Sequence, residues 1–309
     1  MSQRPFPRRA VLRLGALSLA SLLMPDTPLQ SAETALLTRP IPSTGEPLPA
    51  VGLGTWQSFD VAGDPAAVEE ARETLRALAA AGGRVLDSSP MYGSAEAVAG
   101  QLVQELGLRE RVFVATKVWT EGRNAGRAQM DASMKKLRVE RLDLMQVHNL
   151  VDAGTHLQTL REWKAAGRVR YVGVTHYHAG AHAALETVVR SGEVQFVQVN
   201  YSLDEPEAER RLLPAAAASG VAVVVNRPFA EGSMFRRVKG KPLPPLAGEL
   251  GCASWAQYFL KWILGHPAVT CAIPGTRNPR HLADNLAAAR GPIPDAAARK
   301  RMAEHFASL

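Results

Sequence analysis

Four polar residues stand at or just beyond the ends of short apolar runs, and in concert they can move a proton. They lie in the segments Val85-Leu86-Asp87-Ser88-Ser89-Pro90-Met91-Tyr92-Gly93, Ala115-Thr116-Lys117-Val118-Trp119 and Met145-Gln146-Val147-His148-Asn149. A phenol titrates near ~10 and keeps its proton at neutral pH. A neighbouring ammonium favours the phenolate and so lowers that pKa. Lys117 would supply the charge, Asp87 would hold Lys117 charged and in place, and His148 would hydrogen-bond a carbonyl oxygen and orient it. Tyr92 would then protonate the oxygen as hydride reaches the carbon, with donors already aimed at the developing alkoxide. Singly, each residue has a plainer use: a helix cap, a rim charge, a core histidine, a packed ring.

Such a device needs a scaffold that brings three distant segments together. Short runs rich in Val and Ile, bounded by Gly, Asn or Pro, predict buried parallel strands at 51–55, 85–88, 112–118, 142–148, 171–175, 196–201, 221–226 and 269–273. Amphipathic segments between them predict helices near 65–81, 94–107, 124–138, 154–167, 179–192, 206–219, 249–264 and 279–289. Asp64-Pro65 reads as a cap followed by proline at the first helical position. Strands and helices alternating eight times over about 250 residues predict a closed (β/α)8 TIM barrel, whose chemistry gathers at the C-terminal ends of the strands. The open doubly wound sheet is the competing architecture, but Gly52-Leu53-Gly54 is too short to be its phosphate-binding fingerprint. The Pro-rich stretch Thr38 to Pro49, centred on Ser43-Thr44-Gly45-Glu46, predicts a turn between two extended pieces. A further helix is expected near 295–306.

Residues 1–32 read as a separate object. Arg8-Arg9 is followed by the apolar run Leu14 to Met24, a charged start and a short hydrophobic stretch as in a signal peptide. The run is too short for comfortable spanning of a bilayer, so no stable membrane insertion is expected. The pattern resembles a twin-arginine export signal, with Ala32 as the candidate cleavage residue. It implies transient contact with the twin-arginine export machinery and a periplasmic or exported protein, cytoplasmic where the signal is inefficient. Residues 33–309 would form one barrel domain. The formal charge is +7, of which residues 1–32 supply +3, leaving +4 with no dense basic stripe. That excludes a nucleic-acid binder as the first reading. The two cysteines, Cys252 and Cys271, fall in apolar patterns and read as buried thiols.

The four residues with their spacing, the Gly52-Leu53-Gly54-Thr55-Trp56 strand and the Pro-rich turn before it together resemble the aldo-keto reductase family over about residues 40–290. The resemblance implies an Asp87, Tyr92, Lys117, His148 tetrad and reversible NAD(P)H-dependent reduction of an aldehyde or ketone, without metal. It places Gly54 and Thr55 against the cofactor. Thr175-His176 stands where the family usually carries Ser-Asn holding the nicotinamide carboxamide, and Gln198 matches a third carboxamide ligand, with Asn200 two residues on. Phe229, or the plane of Arg227, replaces a stacking tyrosine. Ile273 to Asp284-Asn285 resembles the adenosine-phosphate segment, with Thr276, Arg277 and Arg280 as phosphate partners and Asn285 closing it; a strand end feeding a helix N-terminus suits an anion, and arginine grips phosphate with paired bonds. NADPH is therefore expected ahead of NADH. Trp56 and Trp119 resemble the aromatic walls of a substrate pocket for a small-molecule carbonyl. His176 and His178 lack a third ligand, so no metal site is expected. Two other functions stay open: an NADP(H)-binding sensor or regulatory subunit with little turnover, and a Schiff-base aldolase using Lys117.

Overall fold

The structure is a computed structural model that describes residues 35–309. The segment read as an export signal lies outside the described residues. Two antiparallel strands, β1 (Thr38–Pro40) and β2 (Pro47–Pro49), make a hairpin. Eight parallel strands follow: β3 (Leu53–Gly54), β4 (Val85–Asp87), β5 (Phe113–Val118), β6 (Leu142–His148), β7 (Val169–Thr175), β8 (Phe196–Asn200), β9 (Ala222–Asn226) and β10 (Val269–Ala272). Each pairs with its neighbour in the chain, from β3 to β10. Parallel bridges from Val51 to Ala272 and from Gly54 to Gly275 join the two edges and close the barrel. A Cβ at Gly54 would meet the Ile273 carbonyl oxygen at 2.8 Å, so only glycine fits this seam.

The helices are α1 (Pro65–Ala80), α2 (Ala95–Glu105), α3 (Arg123–Leu137), α4 (Ala153–Ala165), α5 (His182–Arg190), α6 (Leu212–Ala218), α7 (Ser233–Arg237), α8 (Pro245–Glu249), α9 (Trp255–Leu264), α10 (Pro279–Ala287) and α11 (Ala296–Ala307). Their starts follow local chemistry. Asp64 accepts from the backbone N–H groups of Ala66 and Ala67 at 3.0 Å and precedes Pro65, which needs no donor. Asn278-Pro279 repeats this device for α10. Helix α1 buries Ala67, Ala71, Leu75 and Leu78, a stripe at helical spacing turned toward the strands.

Several boundaries differ from the sequence expectation. The run 51–55 yields only a two-residue strand plus the Val51 bridge. The expected helix 249–264 begins only at Trp255, as α9, while α8 ends at Glu249, because Gly251 turns the chain at φ 66° and Ser254 caps a fresh start by accepting from the Gln257 N–H. The expected helices 179–192 and 206–219 each open with a turn of 3-10 helix. Helix α7 is not foreseen by the apolar pattern at all.

Two apolar layers surround the strands. Helices cover the outside; inside, the bottom of the barrel is filled by Phe113, Tyr171 and Phe196, whose rings lie 5.3–6.0 Å apart, with Ile41 and Leu48 of the hairpin fully buried against them. The hairpin is anchored by Glu46, which accepts from the Tyr171 hydroxyl at 2.8 Å and pairs with the Arg170 guanidinium. Its entry is tied down too: the Leu37 N–H donates to the Ala289 carbonyl at 2.7 Å, and Ala50 N–H to the Leu37 carbonyl at 2.8 Å. Cys252 and Cys271 are free and buried, and burial pushes the Cys252 thiol up to about 11. No helix of the described residues is long and apolar enough to cross a membrane.

Candidate active site

The open end of the barrel holds a cleft of about 660 Å³. Asp87 at the end of β4 and the loop reaching Tyr92 form one side, and His148 at the end of β6 faces them. Lys117, near the end of β5 and only 1% exposed, lies beneath. Its ammonium donates to Asp87 Oδ2 at 2.5 Å and to the Ser88 carbonyl at 2.7 Å. It sits 5.1 Å from the centre of the Tyr92 ring. Three segments distant in sequence thus meet, because parallel strands all end at the same rim.

The electrostatics follow from this burial. Burial opposes the charge on Lys117, but the Asp87 carboxylate, with Tyr92 adding to it, outweighs that opposition and holds the ammonium above the ordinary lysine value. The sequence expectation for Tyr92 needs correcting. Lys117 does pull the phenol downward, yet burial is the larger influence and Asp87 adds to it, so the phenol stands above its ordinary value. Tyr92 therefore keeps its phenolic proton at neutral pH. Burial, then Lys117 and His176, push His148 down to about 3. A neutral imidazole donates from one nitrogen only. The Ser89 hydroxyl is 3.4 Å from His148 Nδ1, which leaves Nε2 as the protonated nitrogen when Ser89 donates.

A ladder of amides and hydroxyls continues around the floor. Gln198 donates its Nε2 to Asp87 Oδ1 at 2.9 Å, and the Thr175 hydroxyl donates to Gln198 Oε1 at 3.1 Å. Gln146, two residues before His148 and so on the same inward face, donates to Asp87 Oδ1 at 3.2 Å. Thr55 Oγ1 lies 3.0 Å from the Asp87 carbonyl oxygen. Sequence reasoning passed over Gln146, Ser89 and Asn226; inward alternation along β6 signals the first, and position at a strand end signals the last.

The cleft also gathers Gly54, Thr175, His176, Gln198 and Phe229, all singled out from the sequence. His176 follows the end of β7, and its Nδ1 accepts from the Tyr177 N–H at 2.9 Å. Phe229 packs 4.9 Å from Phe235, as part of a wall. Arg227 is engaged by Glu205, by Glu231 and by the Tyr177 carbonyl. The large exposed apolar side chains among the described residues are Trp56, Met91, Trp119, Tyr177 and Phe235, and all five line this cleft. Exposed apolar surface concentrated at one concave place marks a binding site.

Other sequence candidates lie outside the cleft lining. Thr276, Arg277, Arg280 and Asn285 run along the connection from β10 into α10, joined to the cleft through Gly275. Arg277 turns to α1 and pairs with Glu70 at 3.0 Å, and Thr276 Oγ1 accepts from the Asn278 N–H. Arg280 is exposed and forms no ion pair with an acidic group among the described residues. Asn285 is buried on α10. Asn200 faces away, between the His182 ring and Glu205. His176 and His178 pack edge to face at 4.3 Å, and no group of three candidate ligands able to hold a metal ion occurs among the described residues.

An eight-stranded parallel barrel with a buried lysine–aspartate pair under a tyrosine and a histidine defines a class of enzyme-like sites at strand ends. The chain belongs to the aldo/keto reductase family, whose model matches residues 50–301. It is 25% identical to the aldo-keto reductase YhdN of Bacillus subtilis, over 78% of this chain and 85% of that protein. It is 29% identical to the methylglyoxal reductase YeaE of Escherichia coli, with the same two coverages. An aldo/keto reductase from Klebsiella pneumoniae, solved with NADP and acetate, superposes with a TM-score of 0.73 at 26% identity, covering 85% of this chain and 93% of the other.

Proposed function

We propose that this protein reduces an aldehyde or ketone to an alcohol with NADPH, and that Tyr92 is the general acid. The convergence of Tyr92, Lys117, Asp87 and His148 at one apolar cleft carries the reading. Relatives support it: the Klebsiella structures hold NADP and NADPH, and the Escherichia coli relative is a methylglyoxal reductase. The floor residues fit a nicotinamide, because an amide ladder of Thr175, Gln198 and Asn226 ends in a buried acceptor, Asn226 Oδ1, that has no donor of its own. When bound, the reduced nicotinamide supplies the hydride to the carbonyl carbon.

The chain's own residues do the rest. The Tyr92 phenol delivers its proton to the carbonyl oxygen, so the C=O bond becomes CH–OH. Lys117 stabilises the phenolate left behind, and Asp87 holds Lys117 in place. His148, neutral, donates from Nε2 to the same oxygen and orients it. Trp56, Trp119 and Met91 enclose the carbonyl compound and exclude water. For the nucleotide end, Arg280 is the phosphate partner favoured because it is exposed and forms no ion pair among the described residues, with Thr276, Arg277 and Asn285 around it. We also propose that residues 33–309 act as one barrel domain and that residues 1–32 direct export by the twin-arginine route.

The test is to purify residues 33–309 and follow the reduced-nicotinamide absorbance with NADPH, then NADH, against a panel of aldehydes, dicarbonyls and ketones. Oxidation of cofactor that disappears in Tyr92→Phe establishes the reading. Tight cofactor binding without turnover replaces it with a sensor or regulatory subunit, and absence of binding overturns it. Export is tested by fractionating cells that carry the full chain or its Arg8→Lys, Arg9→Lys variant; an unchanged cytoplasmic pool in both overturns that part.

A further inference from the structure

We infer that Asn226, at the end of β9, reads the amino group of the nicotinamide carboxamide. The inference rests on the cofactor assignment proposed above and adds a residue to it. Asn226 Nδ2 donates to the His176 carbonyl at 3.1 Å and lies 3.4 Å from Gln198 Oε1. Both partners are oxygens that can only accept, so the nitrogen of Asn226 must face them and its oxygen must face the other way. That oxygen is buried and has no donor among the described residues. A buried acceptor without a donor is costly to keep, and such an atom in a binding cleft calls for a donor from a ligand.

Gln146 Oε1 on the floor is also without a donor among the described residues, but Gln146 does not line the cleft, and the acceptors nearest Asn226 are already occupied. Gln198 Oε1 takes the Thr175 hydroxyl and the Asn226 amide, while Gln198 Nε2 is held by Asp87. His176 Nδ1 takes the Tyr177 N–H. A primary carboxamide entering here brings an oxygen and an NH2. Gln198 has one N–H left for the oxygen; the NH2 finds its open acceptor at Asn226 Oδ1. Asn226 lines the cleft and is part-exposed as a residue, and the terminal torsion of asparagine is soft, so a small rotation brings Oδ1 to the ligand. Asn149 also lines the cleft with an orphaned Oδ1, but its amide makes no side-chain hydrogen bond that fixes its orientation.

The probe is a pair of dinucleotides: NADPH and its reduced 3-acetylpyridine counterpart, in which a methyl group replaces the NH2 on the same carbonyl. Binding is titrated by fluorescence with no carbonyl substrate present. Wild-type protein is expected to bind NADPH about tenfold more tightly than the acetylpyridine form, the effect of one hydrogen bond plus the orphaned acceptor. Asn226→Ala is expected to bind the two alike, at the weaker level. Equal affinity of the wild type for both overturns the inference while leaving the cofactor assignment intact, and needs no variant. A preference that survives in Asn226→Ala overturns it as well. Failure of the wild type to bind either dinucleotide removes the cofactor assignment and this inference together.

Discussion

The Ser89 hydroxyl lies 3.4 Å from His148 Nδ1, and the same hydroxyl oxygen accepts from the Met91 N–H at 3.3 Å. When the hydroxyl donates to Nδ1, Nε2 is left carrying the ring's own proton. Ser89 thus acts through His148 as a positioning residue. Ser89→Ala is expected to lower kcat about two- to tenfold, the value of one neutral hydrogen bond, with little change in KM. Nitrogen chemical shifts of the His148 ring give the independent readout: the wild type shows one tautomer, the variant a mixture. A single tautomer in the variant removes this role.

Acid should act on stability through His148. Folded, the imidazole stays neutral down to about 3; unfolded, it takes its proton near its ordinary value of 6.5. Between those limits the unfolded chain binds the extra proton, so stability falls as pH drops from 6.5 toward 3 and is untouched by this group above 6.5. Urea midpoints at pH 7.5 and pH 5 check the sign. His148→Gln is expected to lose less stability than the wild type over that interval, and an equal loss sinks the assignment.

The two arginines near α10 should separate in their effects. Arg280→Ala is expected to raise KM for NADPH about 10- to 100-fold, as for loss of a charged hydrogen bond, and to leave NADH unchanged. Arg277→Ala removes a pair with Glu70 that is exposed on both sides and should shift stability by about 0–1 kcal/mol. Steady-state kinetics with both cofactors decide it; the reverse ranking places the phosphate at Arg277 instead.

Phe113 stands fully buried among Tyr171, Phe196 and the hairpin. Phe113→Ala opens a void at the barrel bottom and is expected to destabilise by about 3–5 kcal/mol, read from denaturant unfolding. Because the void is far from the rim, cofactor affinity below the unfolding range should persist.

The barrel was legible because its strands are continuous Val-rich runs and its helices are capped by Asp64-Pro65 and Asn278-Pro279. Polar residues closing those runs pointed to the rim, and the rim is where Asp87, Lys117 and His148 meet. What spacing could not show is burial. The net upward position of the Tyr92 phenol depends on the depth of its setting, which outweighs the charge of Lys117. Nor could spacing show that Arg277 would turn toward Glu70, a residue 207 positions away. Helix α9 starts later than the apolar pattern implies, because Gly251 and Ser254 interrupt a pattern that otherwise reads as continuous.

The bond from Leu37 to Ala289 has a bearing on maturation. Leu36 and Leu37 already pack on the core, and Leu37 clasps the chain's far end while handing on to Ala50. A peptidase cutting at Ala32 leaves that clasp whole. One cutting beyond Leu37 would remove both of its bonds and leave the hairpin held by Glu46 on Tyr171 and Arg170 and by the buried Ile41 and Leu48 alone. Any processing of this chain therefore has a narrow margin, and the margin closes at Leu36.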